Sequence, residues 1–167
     1  MFGIEFLQGL VYAFGYFGAF FSAFLGSAMI IIPTPALLVV FFAGSILNPL
    51  AIGIVSGFGA AIGELIGYGI GIGGNKFFGE KKNKDKKRLK KWIKKSKNWF
   101  KSYGGFFLTF IFAVTPLPDD IIGIIAGYLK YDIKKYFFAC LLGKIILCTF
   151  VAYAGHYGID FVLNYVL

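Results

Sequence analysis

Pro116-Leu117-Pro118-Asp119-Asp120 breaks the apolar run Tyr103–Leu129, and Pro33-Thr34-Pro35 breaks an earlier one, Met29–Asn48. The breaks match. Ala43-Gly44 follows the first and Ala126-Gly127 the second, while Phe24-Leu25 and Phe107-Leu108 precede them, all at the one offset that separates Pro33 from Pro116. Proline removes a backbone donor and clashes with the preceding helical turn. In a bilayer such a break is stable only where protein covers the freed backbone or a cavity receives it. Two broken apolar segments at corresponding places in two halves point to a binding site at mid-membrane.

Composition agrees with a membrane protein. The chain has 167 residues, 58% of them hydrophobic, and 23 are glycine. Its mean hydropathy is +0.76. Such values suit helices packed closely in lipid. The opening run has no basic stretch, carries Glu5 and is too long for a signal peptide. One membrane domain is expected over 1–167. Cys140 and Cys148 lie about 12 Å apart along one predicted helix, too far to bridge, and read as apolar fillers. One His and no CxxC give no metal or haem site, and no cofactor is expected. No nucleophile–base pair or phosphate-cradling loop is present, so an enzyme is not expected.

The net charge of +9 is local: thirteen of seventeen basic residues lie between Lys76 and Lys101. This argues against nucleic acid as a partner and for a lipid surface. Within that segment Leu89, Trp92, Ile93, Ser96, Trp99, Phe100 and Tyr103 recur at helical spacing, with lysines such as Lys90 and Lys94 among them. The pattern predicts an interfacial amphipathic helix, with Lys90, Trp92, Lys94 and Trp99 contacting lipid.

The predicted architecture is all-α. A transmembrane helix covers 6–28, an outer re-entrant hairpin 29–48 and a second transmembrane helix 49–73. A cytoplasmic basic segment, 76–102, leads to an inner re-entrant hairpin, 103–129, a third transmembrane helix, 132–155, and a short tail, 156–167. Hairpin tips fall at Pro33, Pro35, Pro116 and Pro118. About 26 residues in the second broken run are too few for two crossings, so it enters and returns. Lys130, Lys134 and Lys135 then share a face with the basic segment. The positive-inside rule puts that face, and the N-terminus, in the cytoplasm. The hairpin-plus-helix units run in opposite senses, an inverted repeat.

Charges within apolar segments are candidate functional groups. Glu64, Asp119, Asp120 and Lys144 are the four. Asp119 reads either as a helix N-cap or as a site carboxylate, and Asp120 as a proton- or cation-binding group. Lys144 is expected to pair with Asp120 or Glu64, or to snorkel to a helix end. Gly57, Ala60, Ala61, Glu64, Tyr68 and Gly71 fall on one helical face, small enough to point into a bundle. Tyr68 is read as a packing or hydrogen-bonding partner. Gly44, Gly127, Gly63, Gly67 and Gly71 are expected at close helix contacts. His156, Tyr157 and Asp160 fall at the outer interface, where a lone His is structural or senses pH.

With Pro33-Thr34-Pro35 and Ala43-Gly44, Gly63-Glu64 with Gly67-Tyr68 and Gly71, and Pro116 through Ala126-Gly127, the chain resembles the DedA, or SNARE-associated (VTT-domain), membrane family over about residues 20–155. The resemblance implies two facing re-entrant hairpins and a role in moving lipids between leaflets. Bacterial relatives are linked to recycling of polyprenyl-phosphate carriers, often with the proton gradient, and eukaryotic ones look like phospholipid scramblases. The chain departs from the family pattern at Ala113 and Asp119, where many members carry Arg, and at Leu37, where many carry an acid. Asp120 fills the matching acidic slot of the inner hairpin. Without those arginines, a phosphate would depend on Lys144, hairpin amides or the basic segment. The expected function is lipid transport or scrambling of phospholipid or polyprenyl-phosphate headgroups, with proton coupling in view. The alternatives are a proton- or cation-coupled carrier of a small solute, and a scaffold that transports nothing.

Overall fold

The computed structural model describes residues 2–28, 36–78, 104–115 and 119–165, with side chains over 14–28, 36–73, 104–115 and 119–158. Pro33, Pro35, Pro116, Pro118 and the proposed interfacial helix with Lys90, Trp92, Lys94 and Trp99 lie outside the described residues. Among the described residues there are six helices and no strand. They are α1 (Phe2–Ala28), α2 (Ala36–Ile46), α3 (Pro49–Phe78), α4 (Gly105–Val114), α5 (Asp120–Tyr128) and α6 (Ile133–Tyr165).

Among the residues whose side chains are described, two helices contain stretches long and apolar enough to cross a membrane, Pro49–Gly73 in α3 and Ile133–Gly158 in α6. By contrast α2, α4 and α5 have 11, 10 and 9 residues. At about 1.5 Å per residue none reaches the roughly 30 Å of a hydrocarbon core. Local chemistry sets several boundaries. Asn48 precedes Pro49, and its Oδ1 accepts the Ala51 amide at 3.1 Å. Proline at the first helical position loses no bond that a helix would make. At the start of α6 the amides of Lys134 and Lys135 donate to Asp132 Oδ1 at 2.9 and 3.1 Å. Chiefly the Lys135 amide holds the exposed Asp132 carboxyl below the usual carboxylate range. Its cap is therefore complete above that range and is lost as pH falls through it. The α5 end closes with Tyr131 N–H on Ala126 O at 2.9 Å and Lys130 at φ 53°, the geometry of a Schellman end without its usual glycine.

Glycines set the packing. Gly53 lies against Thr149 and Gly57 against Ile145, so α3 and α6 run antiparallel in close contact. Gly71 meets Ile124 and Tyr128 on α5, while Gly67 faces the Asp120 carbonyl, so α5 runs parallel to α3. Gly44 on α2 meets the backbone of Ala152 on α6, and Gly127, its counterpart in the second half, meets the Tyr68 carbonyl on α3. Likewise Gly155 on α6 meets Phe41 on α2 as Gly71 on α3 meets Ile124 on α5. The short helix of each half thus packs on the long helix of the other. Two buried clusters result, one around Tyr68, Ile122, Ala126 and Tyr136, the other around Val40, Ile52, Cys148 and Ala152. In lipid the driving force for such contacts is close backbone approach rather than removal of apolar surface from water. Large apolar side chains such as Phe14, Phe58 and Phe150 accordingly remain exposed on the outside.

Three expectations need correction. First, α1 does not cross in the sense opposite to α3. Gly15 faces Leu47, Gly59 meets Phe20, and Gly63 meets Phe24 and Ser27, so residue numbers rise together and the helices are parallel. The return between them is made by α2, and Leu47 at its end faces Gly15 of α1. The start of α1 and the end of α3 therefore lie at opposite ends of the bundle, not at one. Lys130, Lys134 and Lys135 do stand at the end of the bundle where α3 leads into 79–103, because Tyr128 lies beside Gly71. Second, α6 continues through Tyr165 where a short tail was expected after Gly155. No proline stops it, and α2 packs on Gly155. Third, Gly67 is not a tight contact. The nearest atom to a Cβ there is the Asp120 carbonyl oxygen at 3.8 Å, because α5 diverges from α3 toward its N-terminus.

These contacts separate two neighbouring glycines. A Cβ at Gly71 would strike the Ile124 carbonyl, whereas one at Gly69 meets nothing within 4 Å. Gly71→Ala is expected to cost about 1–3 kcal/mol, and Gly69→Ala to be neutral or slightly stabilising through helix propensity. Thermal unfolding of the two purified variants in detergent checks this, and equal effects would contradict the packing.

Candidate functional site

The four charges within apolar segments divide into a centre of three and a neighbour. Glu64 comes from the small-residue face of α3, and its side chain is 1% exposed. Gly57, Ala60, Ala61, Tyr68 and Gly71 on that face are all buried. Lys144 stands on α6 next to Gly143, which leaves room only for Ala113 and Phe110 of α4. Asp119 stands immediately before α5. Lys144 Nζ lies 3.0 Å from Glu64 Oε1 and 2.6 Å from Asp119 Oδ2. One ammonium thus ties together α3, α6 and the chain that emerges from the Pro116–Pro118 break. Both Glu64 and Lys144 lie near the middle of the two spanning stretches.

Two expectations about this group are revised. Asp119 occupies the N-cap position of α5, but its side chain makes no capping hydrogen bond. Its backbone carbonyl accepts the Ile122 and Gly123 amides at 2.8 and 3.1 Å, while the carboxylate turns to Lys144. Of the two partners expected for Lys144, it takes Glu64, and Asp120 forms no ion pair with it. Asp120 sits partly exposed in the first turn of α5, about 100° further round the helix. Lys144 does not snorkel, since its side chain is only 10% exposed.

Tyr68, one turn beyond Glu64, donates its hydroxyl to the Tyr131 carbonyl at 2.5 Å. Its ring stacks on Tyr136, with centroids 5.1 Å apart and planes at 27°. The sequence reading missed Tyr136. The available signal was its position two turns before Lys144, on the same side of α6. Gly123 on α5 makes way for the Tyr136 hydroxyl. The pair therefore forms a wall beside the charged centre, fixed to the α5–α6 turn.

The charged centre occurs in one half only. In the register that matches Gly44 with Gly127 and Gly71 with Gly155, the positions corresponding to Asp119, Lys144 and Glu64 are Ala36, Ala60 and Cys148. Tyr68 and Tyr136 correspond to Ala152 and Ile52. One framework thus carries a charged, aromatic layer and an apolar one. With all three groups ionised the centre bears one net negative charge. Closing that balance in low dielectric takes one more cation, of which a proton is the smallest. The cysteines are free and buried, and no group of metal-binding side chains occurs among the described residues.

A bundle that is all-helical over the described residues, with two span-length helices and ionisable groups near their midpoints, has the character of a helical membrane protein. The model of the VTT domain matches residues 32–157, and the protein belongs to this family, the domain family of the DedA membrane proteins. No curated protein and no solved structure matches the chain.

Removing one partner of a buried ion pair leaves an uncompensated charge. Lys144→Met, which leaves two carboxylates together, is expected to lower stability by about 3–5 kcal/mol. The measurement is denaturant or thermal unfolding in detergent micelles. A loss well under about 1 kcal/mol would mean that Lys144 does not neutralise Glu64 and Asp119.

Proposed function

We propose that the protein moves lipid headgroups between leaflets, with Glu64, Asp119 and Lys144 as the groups that meet the headgroup. The carrying observation is the ion-paired centre at mid-span, one member of which is delivered by the chain leaving a proline break. A charged group at that depth is expensive and is retained for a task. Membrane lipids are the partners, and a proton or another cation is the coupling ion.

The architecture behind this reading is an inverted repeat of re-entrant hairpin plus transmembrane helix. Three observations support it: α3 and α6 are antiparallel, the proline breaks and the Ala-Gly pairs after them share one offset, and the glycine contacts are reciprocal. The first hairpin is formed by the second half of α1 with α2, and the other by α4 with α5. Gly67, Asp120 and Tyr68 line the approach to the centre, and Gly44, Gly63, Gly71 and Gly127 keep the helices close. The basic segment, with Lys90, Trp92, Lys94 and Trp99, rests on the cytoplasmic leaflet.

In the mechanism Lys144 is the phosphate-binding group. Its ammonium exchanges a carboxylate for a headgroup phosphate, assisted by the free amides at the N-terminus of α5. Glu64 and Asp119 then take a proton or a headgroup amine, which keeps the centre near neutrality. The acyl chains stay in hydrocarbon. A groove of about 500 Å³ between α1 and α2, lined by Phe14, Gly18, Leu38, Phe42 and Ile46 among others, is apolar and open to the side. This shape favours lipid over a small polar solute.

The test is transbilayer movement of a fluorescent phospholipid in proteoliposomes that contain only this protein. Glu64→Gln and Asp119→Asn are each expected to slow movement at least about tenfold, equivalent to about 1.4 kcal/mol of barrier. Unchanged rates in both variants would overturn the assignment of these carboxylates. No movement by the folded wild-type protein would overturn the function.

A further inference from the structure

Ser56 Oγ, Thr149 Oγ1 and His156 Nδ1 are buried and have no hydrogen-bond partner among the described residues, and Glu64 Oε2 likewise meets no donor there. Ser56 is wholly enclosed. None of the three belongs to the headgroup centre described above. All lie in the half of the bundle between that centre and the face where α3 begins. Gly57 is level with Ile145 and Gly53 with Thr149, so Ser56 stands beside the stretch of α6 between Lys144 and Thr149. Thr149 turns its hydroxyl toward Gly53, where any side chain would strike it. His156 stands near the end of the spanning stretch at Gly158, its ring edge-on to Tyr157 at 5.3 Å.

A buried polar atom without a partner is costly, and in hydrocarbon no lipid can supply one. Three such atoms on facing helices need a common explanation. We propose that the α3–α6 seam conducts protons between the face where α3 begins and the charged centre, through His156, Thr149 and Ser56. This rests on the reading of the centre as the site of coupling. From His156 to Thr149 along α6 the axial step is about 10.5 Å, and from Ser56 to Glu64 along α3 about 12 Å, each a span of about three hydrogen-bonded waters. His156 binds a proton at Nδ1 and releases it to the adjoining water. Each hydroxyl accepts one proton and passes on its own. Glu64 Oε2 receives the last, leaving Lys144 paired with Asp119 and the centre neutral.

The other ionisable groups are few. Besides Glu64, α3 brings Tyr68, and α5 brings Asp119 and Asp120. On α6 the neighbours are Tyr136, Cys140, Lys144, Cys148, Tyr153 and Tyr157, the last edge-on to His156, while the described side chains of α1, α2 and α4 offer only Tyr16.

Proteoliposomes loaded with a pH-sensitive dye, with a potassium diffusion potential driving proton entry, supply the test. Thr149→Val is expected to cut protein-dependent proton flux at least about tenfold, Ser56→Ala to reduce it, and Thr149→Ser to preserve it. Phospholipid movement measured without a pH gradient should be unchanged in Thr149→Val, which also reports folding. Wild-type flux in Thr149→Val overturns the proposal. So does a wild-type protein that moves lipid but passes no protons, or one whose flux requires sodium. If the wild type passes protons in a Thr149-dependent way but moves no lipid, the headgroup function falls and the proton seam stands.

Discussion

Lys144 holds two carboxylates that come from separate parts of the chain. Glu64 belongs to a long helix, whereas Asp119 stands at the start of the short helix α5, directly after Pro116-Leu117-Pro118. An ammonium within 3.0 Å of both anchors the start of α5 to the middle of the bundle. The two ends of the bridge are unequal in accessibility, at 1% and 13% exposure. Glu64 is the enclosed member, and Asp119 is the more accessible one.

Close backbone contact makes this arrangement possible. Lys144 reaches Glu64 because Gly53 and Gly57 let α6 lie directly on α3. Asp119 reaches Lys144 because Gly71 and Gly127 seat α5 on α3. The corresponding contacts of Gly44 and Gly155 seat α2 on α6 without any charge beneath them. Duplicated geometry with unequal chemistry separates two tasks. The framework can be symmetric while charge lies on one side only, leaving the apolar layer to pack.

Much of this was legible in the sequence because it depends on small residues and breaks. The matched prolines, the face of α3 that carries Glu64 and the antiparallel long helices all follow from spacing. The direction of α1 did not follow. An apolar run long enough to span does not reveal whether it crosses alone or serves as the arm of a hairpin, and that depends on where α2 finds room to return. The choice between Asp119 and Asp120 was equally hidden. Adjacent residues differ by about 100° around a helix, and hydropathy cannot tell which one meets Lys144. Tyr136 was missed because an aromatic in an apolar helix has no distinguishing pattern until Tyr68 stacks on it.

The central claim is that the Asp119 carboxylate serves Lys144 rather than the start of α5. A double-mutant cycle of Asp119→Asn and Lys144→Met, read as unfolding free energy in one detergent, addresses it most directly. The account predicts non-additive effects, with a coupling of about 1–3 kcal/mol between the two positions. Additivity within about 0.5 kcal/mol would contradict it, since residues that share no contact add to that precision.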